Sequence, residues 1–188
     1  MVKKNRRRLK IILDQREELL ILASASSARA ALLNGAGLSF EKRPSDVSED
    51  ALKISMKSQG AAAAALALAE LKARHVSRQA PDCLVIGADQ LLDCHGDWLD
   101  KACDKEDAAG QLRLLRGKDH YLATAVCVMQ NETCLWSFVG SPRLKMRAFS
   151  DEFIAVPHTH EHTGQRDFVA FLIRSILACF SVVATDNQ

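Results

Sequence analysis

Leu19-Leu20-Ile21-Leu22-Ala23 is a short apolar run flanked by polar residues, and it predicts a buried strand. Small residues follow at Ser24-Ala25-Ser26-Ser27, and Ala28 to Leu33 then forms a helix pattern that Gly35 and Gly37 should stop. Leu38 to Lys42 reads as a second strand, ended by Arg43-Pro44-Ser45-Asp46. From Ser48 the pattern turns helical over Ala51 to Ser58 and over Ala61 to His75, with Gly60 separating or kinking the two. The five consecutive alanines at its start fit close helix packing better than disorder. Pro81-Asp82 predicts a turn, and Cys83 to Ala88 a buried strand with Asp89 at its C-terminal end. Gln90 to Cys94 and Gly96-Asp97 read as a further strand and turn, and Lys105 to Leu115 as a helix stopped by Gly117. Tyr121 to Gln130 and Cys134 to Val139 predict a hairpin across Asn131-Glu132, and Arg143 to Phe149 another strand. Strands and helices alternate over short links, so the expected class is α/β.

The pattern changes after Ile154. Pro157 to Gly164 is polar and rich in histidine, and Phe168 to Val183 is densely apolar but broken by Arg174 and Ser175. That run is shorter than the ~20 residues of a membrane span, so a core helix is expected there instead. The 188 residues are 48% apolar and 26% charged, which is globular composition and excludes a wholly disordered chain. The net charge of +2 conceals an uneven spread. Lys3, Lys4, Arg6, Arg7, Arg8 and Lys10 lie in the first ten positions, leaving 19 basic against 23 acidic residues in the rest. A basic arm over 1–18 on a mildly acidic body argues against a nucleic-acid-binding body. Asp14 to Glu18 interrupts the apolar residues a secretory leader would need, and the arm reads as a solvated extension or an early start. The six cysteines form no C-x-x-C pair, so free thiols in a reducing compartment are expected.

Several residues carry candidate chemistry. A strand running into Ser24-Ala25-Ser26-Ser27-Ala28-Arg29 and then a helix offers backbone N–H groups, hydroxyls and a guanidinium to an anion. Ser26 is equally explained as a helix cap. Asp89, after a buried strand and a glycine, lies where open α/β sheets place ligands, and it can hold Mg²⁺ or orient water. Taken alone it is equally a turn-capping aspartate. Glu49 suits a helix start by charge alone, and Lys72 and Lys101 each read singly as solvated lysines.

The ordered set resembles the Maf family of nucleoside triphosphate pyrophosphatases. The opening Leu-Ala-Ser-x-Ser-x-x-Arg is Leu22, Ala23, Ser24, Ser26 and Arg29, followed by Leu32-Leu33 and by Gly37, Leu38 and Phe40. Glu49 matches the glutamate after the second strand, and Ala69, Lys72 and Ala73 an Ala-x-x-Lys-Ala helix segment. Val85-Ile86-Gly87-Ala88-Asp89 is an intact signature strand; Gly96, Lys101, Leu112, Leu115, Gly117 and His120 continue the match. The resemblance spans about 19–154 and implies a two-lobed mixed sheet with flanking helices around a central cleft, often dimeric. It implies hydrolysis of a nucleoside triphosphate to monophosphate and pyrophosphate with a divalent cation, Mg²⁺ or Mn²⁺, in the cytoplasm. Ser24, Ser26, Arg29, Lys72 and Lys101 would bind the triphosphate, Glu49 and Asp89 would hold the metal, and Asp89 would be the proton acceptor. No stable nucleic-acid partner and no membrane association are expected.

The chain departs from the family pattern in places. The usual Ser-Pro-Arg-Arg is Ser26-Ser27-Ala28-Arg29, which removes one of two arginines; Lys-Pro becomes Lys101-Ala102. Gln90 follows Asp89 where many members have threonine, which leaves the preferred base open. Beyond Ile154 the family's closing segments are not found. Residues 155–188 then read as a divergent tail or as the product of a reading-frame change, and in the second case as a weakly active or inactive homologue. An interaction protein working through the basic arm and apolar tail is the remaining alternative. His158, His160 and His162 lack the spacing of a zinc site, so incidental metal binding on a loop is expected of them.

Overall fold

The computed structural model describes residues 19–155 of a chain that divides into two units, Met1–Met146 and Arg147–Gln188. In the first unit, β1 (Leu20–Leu22) forms where three consecutive residues are buried. It leads through Ser24–Ser26 into α1 (Ser27–Gly35), which ends before Gly37 at φ 76°. Next come β2 (Glu41–Lys42), α2 (Asp50–Met56), a 3-10 turn (Lys57–Gln59) and α3 (Ala61–Gln79). Gly60, at φ 87°, separates α2 and its 3-10 turn from α3. The remainder of this unit is β3 (Leu84–Cys94), β4 (Asp97–Leu99), α4 (Lys105–Leu115), β5 (Asp119–Gln130), β6 (Thr133–Gly140) and β7 (Arg143–Lys145).

The strands form one seven-stranded mixed sheet in the order β2-β1-β3-β5-β6, with β4 joining β3 and β7 joining β5. β1 is parallel to β2 and β3, and every other pairing is antiparallel. Strand alternation sends successive side chains to opposite faces, and each face meets a different helix. On one, Ile21, Ala23, Val85, Leu91, Ala125 and Met129 pack against Ala64, Leu68, Ala69 and Val76 of α3. On the other, Leu20, Leu22, Leu84, Ile86 and Val128 pack against Ala30 and Leu33 of α1, with Leu38 and Phe40. Each large side chain buried here contributes about 1.5–3 kcal/mol. The sheet and its helices establish the α/β class.

Four elements differ from the sequence pattern. Asp89 does not end its strand. β3 runs unbroken to Cys94 because β5 stays paired along it from Val85 to Asp93, so Asp89 lies in its middle. α3 continues past His75 to Gln79, since Val76 and Ser77 remain buried. The strands expected over 38–42 and 143–149 are cut to two and three residues, the lengths over which a neighbour pairs with them. The hairpin turn falls where expected. Asn131 and Glu132 both take positive φ, 47° and 60°, as a two-residue turn matched to strand twist requires.

The described part of the second unit contains α5 (Asp151–Ala155), where the Phe153 amide donates to Ser150 Oγ at 3.3 Å. The basic arm over 1–18, the histidines at 158, 160 and 162, the apolar run over 168–183 and Cys179 lie outside the described residues. Among the described residues all five cysteines are free thiols, and no helix is long and apolar enough to cross a membrane.

Candidate functional site

The sheet leaves a notch in its middle. One edge of β3 pairs with β1 at Leu84–Ile86 and with β4 at Leu92–Cys94, so on that edge no described strand spans Gly87 to Leu91. Asp89 sits in this interval, and the chain leaves β1 beside it, where the Ala23 amide donates to the Ile86 carbonyl at 2.9 Å. The chain runs from β1 outward to β2 and back across to β3, so the point where the strand order reverses lies between β1 and β3. Open α/β sheets take their ligands at such a point.

Gly87 sets how closely α3 crosses this notch. A Cβ there would stand 2.2 Å from the Ala69 carbonyl oxygen and 2.7 Å from Ala73 Cβ. Glycine on the strand and alanine on the helix therefore let the two backbones approach. Lys72, on the same helix, then reaches the sheet. Its ammonium pairs with Asp89 Oδ1 and lies 2.7 Å from Glu49 Oε1. Glu49 stands at the N-terminal cap of α2, so three elements supply this cluster. Burial pushes the Asp89 carboxyl above its usual range; Lys72 works against that shift, Glu49 adds to it, and Arg29 opposes it.

The turn after β1 supplies a fourth element. Ser24 is buried and accepts from Arg29 Nη1 at 2.9 Å and from the Ser26 amide at 3.3 Å. Ser26 caps α1, its hydroxyl accepting the Arg29 amide at 3.4 Å. The capping role and the candidate anion role thus fall on the same residue. Burial lowers the Arg29 pKa, while the nearby charges of Asp89 and Glu49 oppose the shift. The Ser24–Arg29 turn and the acidic pair therefore share one electrostatic environment.

The structure brings Ser24, Ser26, Arg29, Glu49, Lys72 and Asp89 together. Lys101 is different: it is exposed on the loop after β4 and has no ion pair to another described residue. One residue overlooked in the sequence, Lys53, links the cluster to this loop. Lys53, one turn after Glu49, lies 3.9 Å from Glu49 Oε2 and 2.6 Å from Asp100 Oδ1. Burial by itself would lower the Lys53 pKa, but Asp100, Glu49 and Asp89 outweigh it and raise the value. The Glu49-to-Lys53 spacing was the available signal, yet in sequence it reads as an ordinary solvated helix pair. Gln90, on the opposite face from Asp89, donates to Thr124 Oγ1 at 2.7 Å.

Around Asp89 the protein offers two carboxylates, both hard oxygen donors, already held close by one ammonium. Among the described residues no group of three or more His, Cys, Asp or Glu side chains is arranged to hold a metal. Cys94 is buried while His95 next to it is exposed.

The profile of the family described as Maf-like protein matches residues 19–168, fourteen residues beyond Ile154. A nucleoside triphosphate pyrophosphatase of Granulibacter bethesdensis is 50% identical over 137 residues, covering 72% of this chain and 70% of that protein. One of the same name from Paramagnetospirillum magneticum is 43% identical, covering 71% and 70%. A 7-methyl-GTP pyrophosphatase of Rhizobium meliloti is 44% identical, covering 72% and 69%.

Proposed function

The chain belongs to the Maf-like protein family, and we infer that it is a nucleoside triphosphate pyrophosphatase. It hydrolyses a nucleoside triphosphate to the monophosphate and pyrophosphate. The observation that carries this reading is the convergence of Arg29, Glu49, Lys72 and Asp89, from four separate elements, on the notch between β1 and β4.

The roles follow from the chemistry of each group. Water attacks the α-phosphorus, the bond from that phosphorus to the α–β bridging oxygen breaks, and pyrophosphate leaves. Asp89, a buried carboxylate at the notch, takes the proton from the water. Ser24 and Ser26 donate to phosphate oxygens beside the α1 N-terminus, and Arg29 adds a forked cationic donor. Lys72 and Lys101 bring further positive charge to the triphosphate.

Glu49 and Asp89 fit Mg²⁺ or Mn²⁺. Mg²⁺ is commonly held by one or two carboxylates together with the substrate's own phosphate oxygens, and this pair supplies that number. A divalent cation there would offset charge on the phosphoryl oxygens. Two expectations accompany the reading: a cytoplasmic location, supported by the free thiols, and a homodimer.

The test is pyrophosphate release from a panel of triphosphates with Mg²⁺. The panel includes 7-methyl-GTP, because one relative bears that name. Release from at least one of them is expected; none from any member with a folded chain would overturn the reading.

A further inference from the structure

Lys101 lies on the loop joining β4 to α4, and the contacts holding that loop lead back to α2. The carbonyl of Asp100, the residue before Lys101, accepts from Gln111 Nε2 at 3.1 Å. The Asp100 carboxylate accepts from Lys53 at 2.6 Å. Beyond Lys101, the Cys103 amide donates to Asp107 Oδ2 at 3.0 Å, and Asp104 caps α4. The short segment carrying Lys101 is thus held on both sides, and its Asp100 side is held by a residue of another element.

A second contact repeats the grip. Lys57, four residues after Lys53 and so one helical turn on, places its ammonium 4.3 Å from the centroid of the Trp98 ring. Trp98 and Asp100 are two residues apart, so two lysines from one stretch hold two alternate positions at the end of β4. Lys53 also lies 3.9 Å from Glu49 Oε2, inside the acidic cluster. Its side chain is partly buried although Asp100 is exposed. A lysine free to be solvated has no need to lie against two carboxylates from different elements.

We propose that Lys53, acting through Asp100, is a positioning residue that holds the Lys101 loop in register with Glu49, so that Lys101 meets the phosphate chain when nucleotide binds. The proposal rests on Lys101 contacting phosphate as in the reading above. Lys53 itself does not need to touch substrate. Its removal should therefore weaken triphosphate binding while leaving the chemical step intact.

The experiment is a set of variants measured in two ways: pyrophosphate release, and calorimetric affinity for inorganic triphosphate, a probe that needs neither turnover nor a particular base. Lys53→Met is expected to raise KM about threefold to fivefold with kcat little changed, the scale of a partly exposed ion pair. It should weaken inorganic triphosphate by the same factor. Asp100→Asn should reproduce both effects, the double variant should be no worse than either single one, and Lys53→Arg should retain most of the affinity. In a Lys101→Ala background, Lys53→Met should have no further effect. If losses from Lys53→Met and Lys101→Ala multiply, or if Lys53→Met lowers kcat at constant KM, the proposal is overturned. A wild-type chain that binds inorganic triphosphate with this pattern but releases no pyrophosphate would remove the enzymatic reading and leave the positioning role standing.

Discussion

Asp89 is 5% exposed and carries a charge that its surroundings disfavour. Its folded pKa lies above its unfolded one, so any stability linked to it is present at low pH and declines as pH rises through that interval. Function and stability therefore oppose each other at this residue. Asp89→Asn should cut pyrophosphate release at least ~100-fold, the scale of a lost proton acceptor, while the melting temperature at neutral pH holds or rises. A variant with near-normal turnover and unchanged circular dichroism would remove Asp89 from the mechanism. His120 shows the converse. It is 4% exposed, its Nδ1 finds no hydrogen-bond partner among the described residues, and burial lowers its pKa. A buried imidazole kept neutral contributes stability that is intact above the unfolded value of about 6.5 and is lost as pH falls through it. The melting temperature should accordingly drop between about pH 7 and 5.5, and His120→Phe should flatten that slope. An equal slope in the variant would assign the drop to other groups.

At the scale of elements, the contact between α3 and β3 decides most of the site's geometry. Ala69 and Ala73 face Gly87, and Lys72 reaches Asp89 from the same helix. Gly87→Ala must push α3 away from the strand, because its nearest obstacles are a backbone carbonyl and the Cβ of a buried alanine. The expected cost is about 1–3 kcal/mol in urea unfolding, the range for overpacking a close contact. Pyrophosphate release should fall further than stability explains, since Lys72 moves with its helix. Stability and activity both unchanged would show that the helix shifts freely. This contact also marks how far the sequence was legible. The alanine run did mark close helix packing, and the β3 segment was seen as buried. What periodicity could not show was that β3 continues past Asp89. A buried carboxylate looks like a strand terminus in sequence, because its cationic partner stands seventeen residues away on a helix. The same holds for Lys53, whose partner Asp100 is 47 residues distant. Local pattern records which residues are apolar, whereas pairing between distant charges is settled only when the sheet brings them together.

For the protein as a whole, the balance of charge in the site sets how the metal should behave. Arg29, Lys53 and Lys72 face Glu49, Asp89 and Asp100, three cations against three carboxylates. The cluster is already neutralised without any metal, and Lys72 holds the two central carboxylates together. Folding has no need of a divalent cation there, whereas a bound triphosphate would add about four negative charges that this balanced set cannot offset by itself. The cation should therefore be required for turnover and dispensable for the fold. Adding EDTA should reduce pyrophosphate release at least ~100-fold, while the melting temperature of the nucleotide-free protein stays within about 1 °C. Mg²⁺ alone should raise that temperature little. Mg²⁺ with a non-hydrolysable triphosphate at a hundred times its Kd should stabilise the chain by about 2.7 kcal/mol, as expected for a ligand that binds only the folded state. Lys72→Met tests the same balance from inside the protein. Without the ammonium the two carboxylates repel, so that variant should gain stability from Mg²⁺ alone where the wild-type chain does not. A wild-type chain that melts markedly lower in EDTA would make the metal structural, and one that turns over nucleotide undiminished in EDTA would leave it no role in the reaction.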